Sequence, residues 1–224
     1  MLESISQQPV TYLPFHTKTF WENFYKSQIQ DNNNNINWYF DLTKLQSNDF
    51  SISNLTKDDE ILLIGPGLSS TLDYLDNNGF VNITIFDFSE ELIKILNEKY
   101  NKEWEKYNYD ISNINSANLE NGANAFSVII DKACLDCILS DPKNGENKFI
   151  EALTNLLILL DENDGVLYYF SNGKMEDRIN LFYKVPKIKY KVATIDMNET
   201  MKDEYKEFNQ NDNIYYLYII TKSQ

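Results

Sequence analysis

A chain of 224 residues, 42% hydrophobic and 14% aromatic, suits one α/β domain with a sizeable core and a short extension. Twenty lysines and arginines against 34 aspartates and glutamates give a net charge of −14. That excludes a phosphate-reading nucleic-acid binder; the acidity is compatible with a basic protein partner but reads first as a generic device for solubility. The apolar run 152–160 is too short to cross a bilayer, the first residues lack the regions of a signal peptide, and two cysteines make no disulfide framework. A soluble, reduced, cytoplasmic monomer without membrane attachment is expected.

Residues 1–14 read as a loose leader. Residues 17–25 read as a helix with Phe20, Trp21, Phe24 and Tyr25 on one side. The low-complexity run 31–35 reads as a loop, and a second helix is expected over 42–49. Residues 1–55 are thus a leader and helical lid segment, and residues 56–224 a single globular unit. Strands and helices then alternate. Strands are expected at 60–65, 82–87, 105–110, 125–131 and 165–170, with helices from 69 to 78, 89 to 100, 148 to 160 and 175 to 183. Ser89 followed by Glu90 and Glu91 reads as a helix start, and Gly79 as a left-handed helix end. Residues 189–197 alternate like a strand, 200–208 are charged, and 214–221 form a strong final strand. The pattern predicts a doubly wound, Rossmann-like α/β sheet of seven strands. It is mostly parallel, with an antiparallel C-terminal strand and an N-terminal helical extension.

Chemistry is expected where strands end. Gly65-x-Gly67 after an apolar strand lets main chain approach a ligand, with free N–H groups on the following helix. Ser70 stands where a dinucleotide turn would carry its third glycine. Asp87, at the end of strand two, suits the two hydroxyls of a ribose. Asp110 and the Ile111 N–H end strand three, where they could read an adenine; alone, Asp110 reads rather as a solvated loop carboxylate. Asp131-Lys132-Ala133-Cys134-Leu135-Asp136 follows strand four, with Asp131 and Asp136 open to two readings, caps of the next helix or holders of an amine. Cys134 and Cys137 have no second ligand pair, so packing is expected rather than zinc, and no metal site is predicted. The single histidine, His16, reads as incidental. Trp21, Tyr25, Trp38 and Tyr39 form an aromatic cluster that is either packing or a lid.

These pieces resemble the seven-stranded S-adenosylmethionine-dependent methyltransferases. More narrowly, they resemble the branch that includes the eukaryotic elongation factor 1A lysine methyltransferases and the methyltransferase-like 13 protein. Phe20-Trp21-Glu22-x-Phe24-Tyr25 is similar to that branch's Tyr-Trp-Asp-x-Arg-Tyr, Trp38-Tyr39 to its Trp-Phe, and Gly65-x-Gly67-x-Ser69 to its Gly-Cys-Gly-Asn-Ser. Asp87-Phe88-Ser89 stands for Asp-Tyr-Ser, Asp110-Ile111 for Asp-Val, and residues 131–136 for Asp/Glu-Lys-Gly-Thr-Leu-Asp. The resemblance runs from about Phe20 to the C-terminus. It implies an S-adenosylmethionine pocket lined by Trp21, Tyr25, Trp38, Gly65, Gly67, Asp87, Phe88, Asp110, Ile111 and Lys132. It also implies a protein substrate, a lysine of elongation factor 1A among the candidates. Asp131 or Asp136 is expected to hold the acceptor amine. The chain departs from the branch at Phe24, Pro66, Leu68, Ala133 and Cys134. Those departures keep a silent methyltransferase fold used for binding as an alternative. A nicotinamide oxidoreductase is a further one, disfavoured by Ser70.

Overall fold

The computed structural model describes residues 13–30, 36–45, 47–113, 122–197 and 214–223. The leader up to residue 12, the 31–35 loop and the 200–208 segment lie outside them. The strands are β1 (Ile61–Ile64), β2 (Ile83–Asp87), β3 (Glu105–Asn108), β4 (Val128–Lys132), β5 (Val166–Ser171), β6 (Ile188–Asp196) and β7 (Ile214–Lys222). They form one sheet in the order β3-β2-β1-β4-β5-β7-β6. Their burial explains their places. All four residues of β1 and all five of β2 are buried, as expected of parallel strands covered on both faces. The short, polar β3 is exposed and sits at an edge. β1 pairs in parallel with β2 on one side and β4 on the other, so the chain reverses its direction of winding between them. β7 inserts antiparallel between β5 and β6, the other strands running parallel to one another.

Helices cover both faces. The α1 (Lys18–Gln30), α2 (Ser70–Asn77) and α3 (Glu90–Lys99) helices lie on one side. There Trp21, Tyr25, Leu72, Leu75, Leu92 and Leu96 share a core with Ile61, Leu63 and Ile130. The α4 (Cys134–Leu139), α5 (Gly145–Leu159) and α6 (Met175–Phe182) helices lie on the other. Leu135, Phe149, Leu153 and Phe182 meet Leu62, Ile64 and Ile129 there. The period of two along β1 and β4 thus sends alternate residues to two separate cores. Ser89 and Gly79 act as read, Ser89 accepting from the Leu92 N–H and Gly79 closing α2 at φ +71°, and Ser69 caps α2 by accepting from the Thr71 N–H.

The helix expected over 42–49 is absent. Two short 3-10 turns, Leu42–Lys44 and Ile52–Asn54, take its place. Asp41 and Ser51 cap these turns, and Ser47 accepts from the Asp49 N–H at 3.1 Å. Short polar side chains here bind nearby backbone and compete with helical bonds. Strand four starts at Val128 rather than 125, since Phe126 makes only an isolated bridge to Leu160. No helix among the described residues is long and apolar enough to cross a membrane.

Candidate active site at the strand ends

The glycine turn leaves β1 in a conformation only glycine takes freely. Gly65 has φ +50° and Gly67 φ +59°. A Cβ on Gly65 would lie 2.8 Å from Cys134 Sγ, and one on Gly67 would lie 3.3 Å from the Tyr25 hydroxyl. Cysteine and tyrosine therefore press on the turn from β4's loop and from α1. Ser70 does what a third glycine could not. Its hydroxyl reaches Asp41 Oδ1 at 2.5 Å and Asn37 Oδ1 at 3.0 Å, and its N–H donates to Asn37 Oδ1 at 3.2 Å. The start of α2 is thus tied to residues 36–41. Burial works against the Asp41 carboxylate, but hydrogen bonds from Ser70 and Thr43 hold its pKa below the ordinary value.

Asp87 ends β2 with only 6% of its surface exposed. Its Oδ1 accepts from the Ser89 N–H at 2.8 Å, and its Oδ2 faces the turn, 3.9 Å from where a Gly65 Cβ would stand. Burial raises its pKa to about 7, and the nearby Glu22 charge adds to the rise. Glu22, which the sequence did not single out as a site residue, caps α3 from outside, accepting from the Glu90 N–H at 2.7 Å and the Glu91 N–H at 3.2 Å. An acidic side chain aimed at a helix start is favourable, and this one docks α1 beside the end of β2. Tyr25, buried on α1, has its hydroxyl pKa raised, by burial first and then by the Asp87 charge.

Beyond β3, Asp110 is exposed. Its Oδ1 accepts from the Ser112 N–H at 3.0 Å and hydroxyl at 2.6 Å, while Ile111 is buried beneath. Across the turn, Lys132 is half-buried, and its partial burial lowers its pKa to about 8. Its Nζ donates to the Phe40 carbonyl at 2.6 Å. Main chain thus holds this lysine.

These groups line a single cleft of about 890 Å³, counted out to open solvent. Trp21, Tyr25, Trp38, Gly65, Gly67, Asp87, Phe88, Asp110, Ile111 and Lys132 all belong to its wall. The wall also takes in Phe15, Cys134 and Cys137. Burial raises both thiol pKa values, that of Cys137 to about 12, so packing rather than redox chemistry suits the pair. His16 lies on the wall too, which its sequence position did not suggest. A turn closed by the Thr17 N–H on the Pro14 carbonyl at 2.9 Å carries it there. No cluster of metal-binding side chains occurs among the described residues.

Asp131 and Asp136 lie outside that wall. Asp131 is fully buried and accepts from the Leu135 N–H at 3.0 Å, the helix-capping alternative. Burial and the Asp136 charge push its pKa well up. Asp136 is ringed by donors. Tyr39 reaches it at 2.7 Å, Ser171 at 2.8 Å, the Asn172 N–H at 3.2 Å, Arg178 Nη2 at 2.8 Å, and the Tyr169 hydroxyl also donates. Asp131 Oδ1 is buried and has no hydrogen-bond partner among the described residues, while both oxygens of Asp136 accept several bonds. Ala133 between them takes a left-handed φ of +77°.

No family model and no curated protein sequence matches the chain. Solved structures do match in fold. A methyltransferase described as S-adenosylmethionine-dependent, from Anabaena variabilis, is 10% identical, with a TM-score of 0.60 over 92% of this chain and 94% of its own. The 1,6-didemethyltoxoflavin-N1-methyltransferase of Burkholderia thailandensis, solved with S-adenosylhomocysteine, is 12% identical, with a TM-score of 0.56 over 97% and 94%. The N-methyltransferase NodS of Bradyrhizobium japonicum, also solved with S-adenosylhomocysteine, is 13% identical, with a TM-score of 0.52 over 73% and 78%. The fold is that of the Rossmann-like methyltransferases.

Proposed function

We propose that the protein is an S-adenosylmethionine-dependent N-methyltransferase. The observation that carries this reading is the cleft itself. Ten residues expected to touch one cofactor, drawn from α1, the 36–41 segment and the ends of β1 to β4, line one wall. The residues fit the group. Two glycines leave room where side chains would fill the turn, and Asp87 Oδ2 is unpaired among the described residues and faces the turn. In this reading Asp87 receives the ribose hydroxyls, Asp110 and Ile111 the adenine, and Gly65 and Gly67 the methionine end. When bound, the cofactor supplies an electrophilic methyl group on a positively charged sulfur.

The chain's own part is alignment and exclusion of water. Phe15, Trp21 and Trp38, with ring centroids 5.3–6.2 Å apart, make an aromatic mouth. Such a mouth disfavours an ammonium and so favours the neutral amine that attacks. The acceptor we propose is a lysine of a protein, elongation factor 1A being the first to try. The N-methyltransferases among the structural neighbours support nitrogen as the acceptor, and the net charge of −14 favours a basic partner surface. Asp131 and Asp136 are left out of the acceptor site, because neither belongs to the cleft wall and Asp136 is already ringed by donors.

Calorimetry with S-adenosylhomocysteine and with NAD tests the cofactor: binding of the first alone is expected, and binding of NAD alone would overturn the reading. Tritiated methyl transfer into cell extract and into purified elongation factor 1A, with the labelled residue located, tests the acceptor. Binding without transfer to any protein would instead favour a silent fold used for binding.

A further inference from the structure

Residues 36–41 cross the mouth of the cleft as a short strap. Its two ends are fastened to the glycine turn: the Ile36 N–H donates to the Leu68 carbonyl at 2.8 Å, and Asn37 and Asp41 both accept from Ser70. Between these ends stand Trp38, on the cleft wall, and Phe40, whose carbonyl holds Lys132 Nζ at 2.6 Å. The residue between them is strained. Tyr39 has φ +63°, a left-handed conformation that a bulky side chain avoids. Something outside the strap has to hold it there.

That something is Asp136. The Tyr39 hydroxyl donates to Asp136 Oδ2 at 2.7 Å, and the Tyr39 ring leans on Tyr215 with centroids 5.2 Å apart. Asp136 is itself immobilised. Arg178 gives it two bonds, from Nη2 at 2.8 Å and Nε at 3.1 Å, and Ser171, the Asn172 N–H and the Tyr169 hydroxyl complete its shell. The carboxylate is 8% exposed and its arginine 13%, so the pair is sheltered from competing water.

We propose that Asp136 and Tyr39 are positioning residues for the cleft: the hydrogen bond between them locks the strap, and through it Trp38 and the carbonyl that holds Lys132. This rests on the cofactor reading of the same cleft, and it gives the strand-four carboxylate a role other than gripping the acceptor. Removing the Tyr39 hydroxyl lets residue 39 relax and frees Trp38 from the wall.

Two variants separate this from a merely structural network. Tyr39→Phe and Ser171→Ala each remove one hydroxyl donor from Asp136, but only the first touches the strap. The readouts are the dissociation constant of S-adenosylhomocysteine by calorimetry and the quenching of tryptophan fluorescence by acrylamide in the protein without cofactor. Trp21 and Trp104 are buried, so quenching reports chiefly on half-buried Trp38. Tyr39→Phe is expected to weaken S-adenosylhomocysteine about tenfold and to raise quenching about twofold, while Ser171→Ala lowers the melting temperature and leaves both readouts at wild-type values. Equal effects from the two variants, or wild-type values for both readouts in Tyr39→Phe, would overturn the proposal. A wild type that failed to bind S-adenosylhomocysteine would remove the cofactor reading, and the quenching comparison would still decide the strap.

Discussion

The replacement Asp87→Asn should make the protein more stable and worse at binding its cofactor. Asp87 is buried with one hydrogen-bond donor, the Ser89 N–H, and its carboxyl is held at about 7 against an ordinary 3.8. A folded-state value above the unfolded one means that ionisation opposes folding. Stability from this group is fully present below about pH 3.8 and is lost as pH rises through 7. At about 1.4 kcal/mol per pKa unit, the ionised carboxylate at pH 8 stands about 4 kcal/mol out of favour. Asparagine keeps an oxygen for the Ser89 N–H and carries no charge. The variant should therefore melt about 10 °C above wild type at pH 8, with the gap shrinking toward pH 4.

The same change removes a charged acceptor from the ribose. Charge-assisted hydrogen bonds contribute about 1.5–3 kcal/mol, so S-adenosylhomocysteine should bind roughly 10- to 100-fold more weakly. Wild-type affinity should also climb between pH 6 and 8 as Asp87 ionises, and the variant should show no such climb. Thermal melts at several pH values and calorimetry on both proteins check this. Melting gaps that stay constant from pH 5 to 8, or an affinity retained within threefold, would refute the placement of an uncompensated carboxylate at the ribose position.

Gly65→Ala should cost about 2–4 kcal/mol and abolish S-adenosylhomocysteine binding, since its Cβ overlaps Cys134 in a left-handed turn; chemical denaturation and calorimetry read both. Ala133→Gly should go the other way and raise stability by about 1 kcal/mol, because the alanine is held at φ +77°; an unchanged denaturation midpoint would contradict that. Gly173→Ala places a Cβ in the space of the Arg178 guanidinium, so it should break the pair with Asp136 and cost about 3 kcal/mol by the same measurement.

Much of the fold was legible because it depends on pattern. The apolar runs of β1, β2 and β4, the caps at Ser69 and Ser89 and the glycine at 79 are local features, and each formed where its residues stood. The 42–49 segment misled because Leu42 and Leu45 are apolar at helical spacing, yet both are buried by an irregular chain capped by its own polar side chains. The residues of the cleft wall were legible for a related reason. Strand ends are positions that a strand pattern fixes, and the N-terminal aromatics carried a recognisable motif.

What the motif could not convey is direction. Asp131, Lys132 and Asp136 sit within six residues, and nothing in their order says which faces the cleft. Asp131 lies next to last in β4 and spends Oδ2 on the helix start, while its Oδ1 is buried without a hydrogen-bond partner among the described residues. Asp136 follows in the first turn of α4, which carries it toward Ser171 of β5 and Arg178 of α6. Only Lys132 reaches the cleft, and it turns to a backbone carbonyl 92 residues earlier in the chain. Those partners are distant in sequence and were chosen by the sheet order, which sets β4 beside β5 and leaves the 36–41 strap lying over both. Position on the sheet edge therefore identifies which residues gather at a site. Their tasks follow only from which oxygen and nitrogen atoms remain unspent once the fold has taken its share.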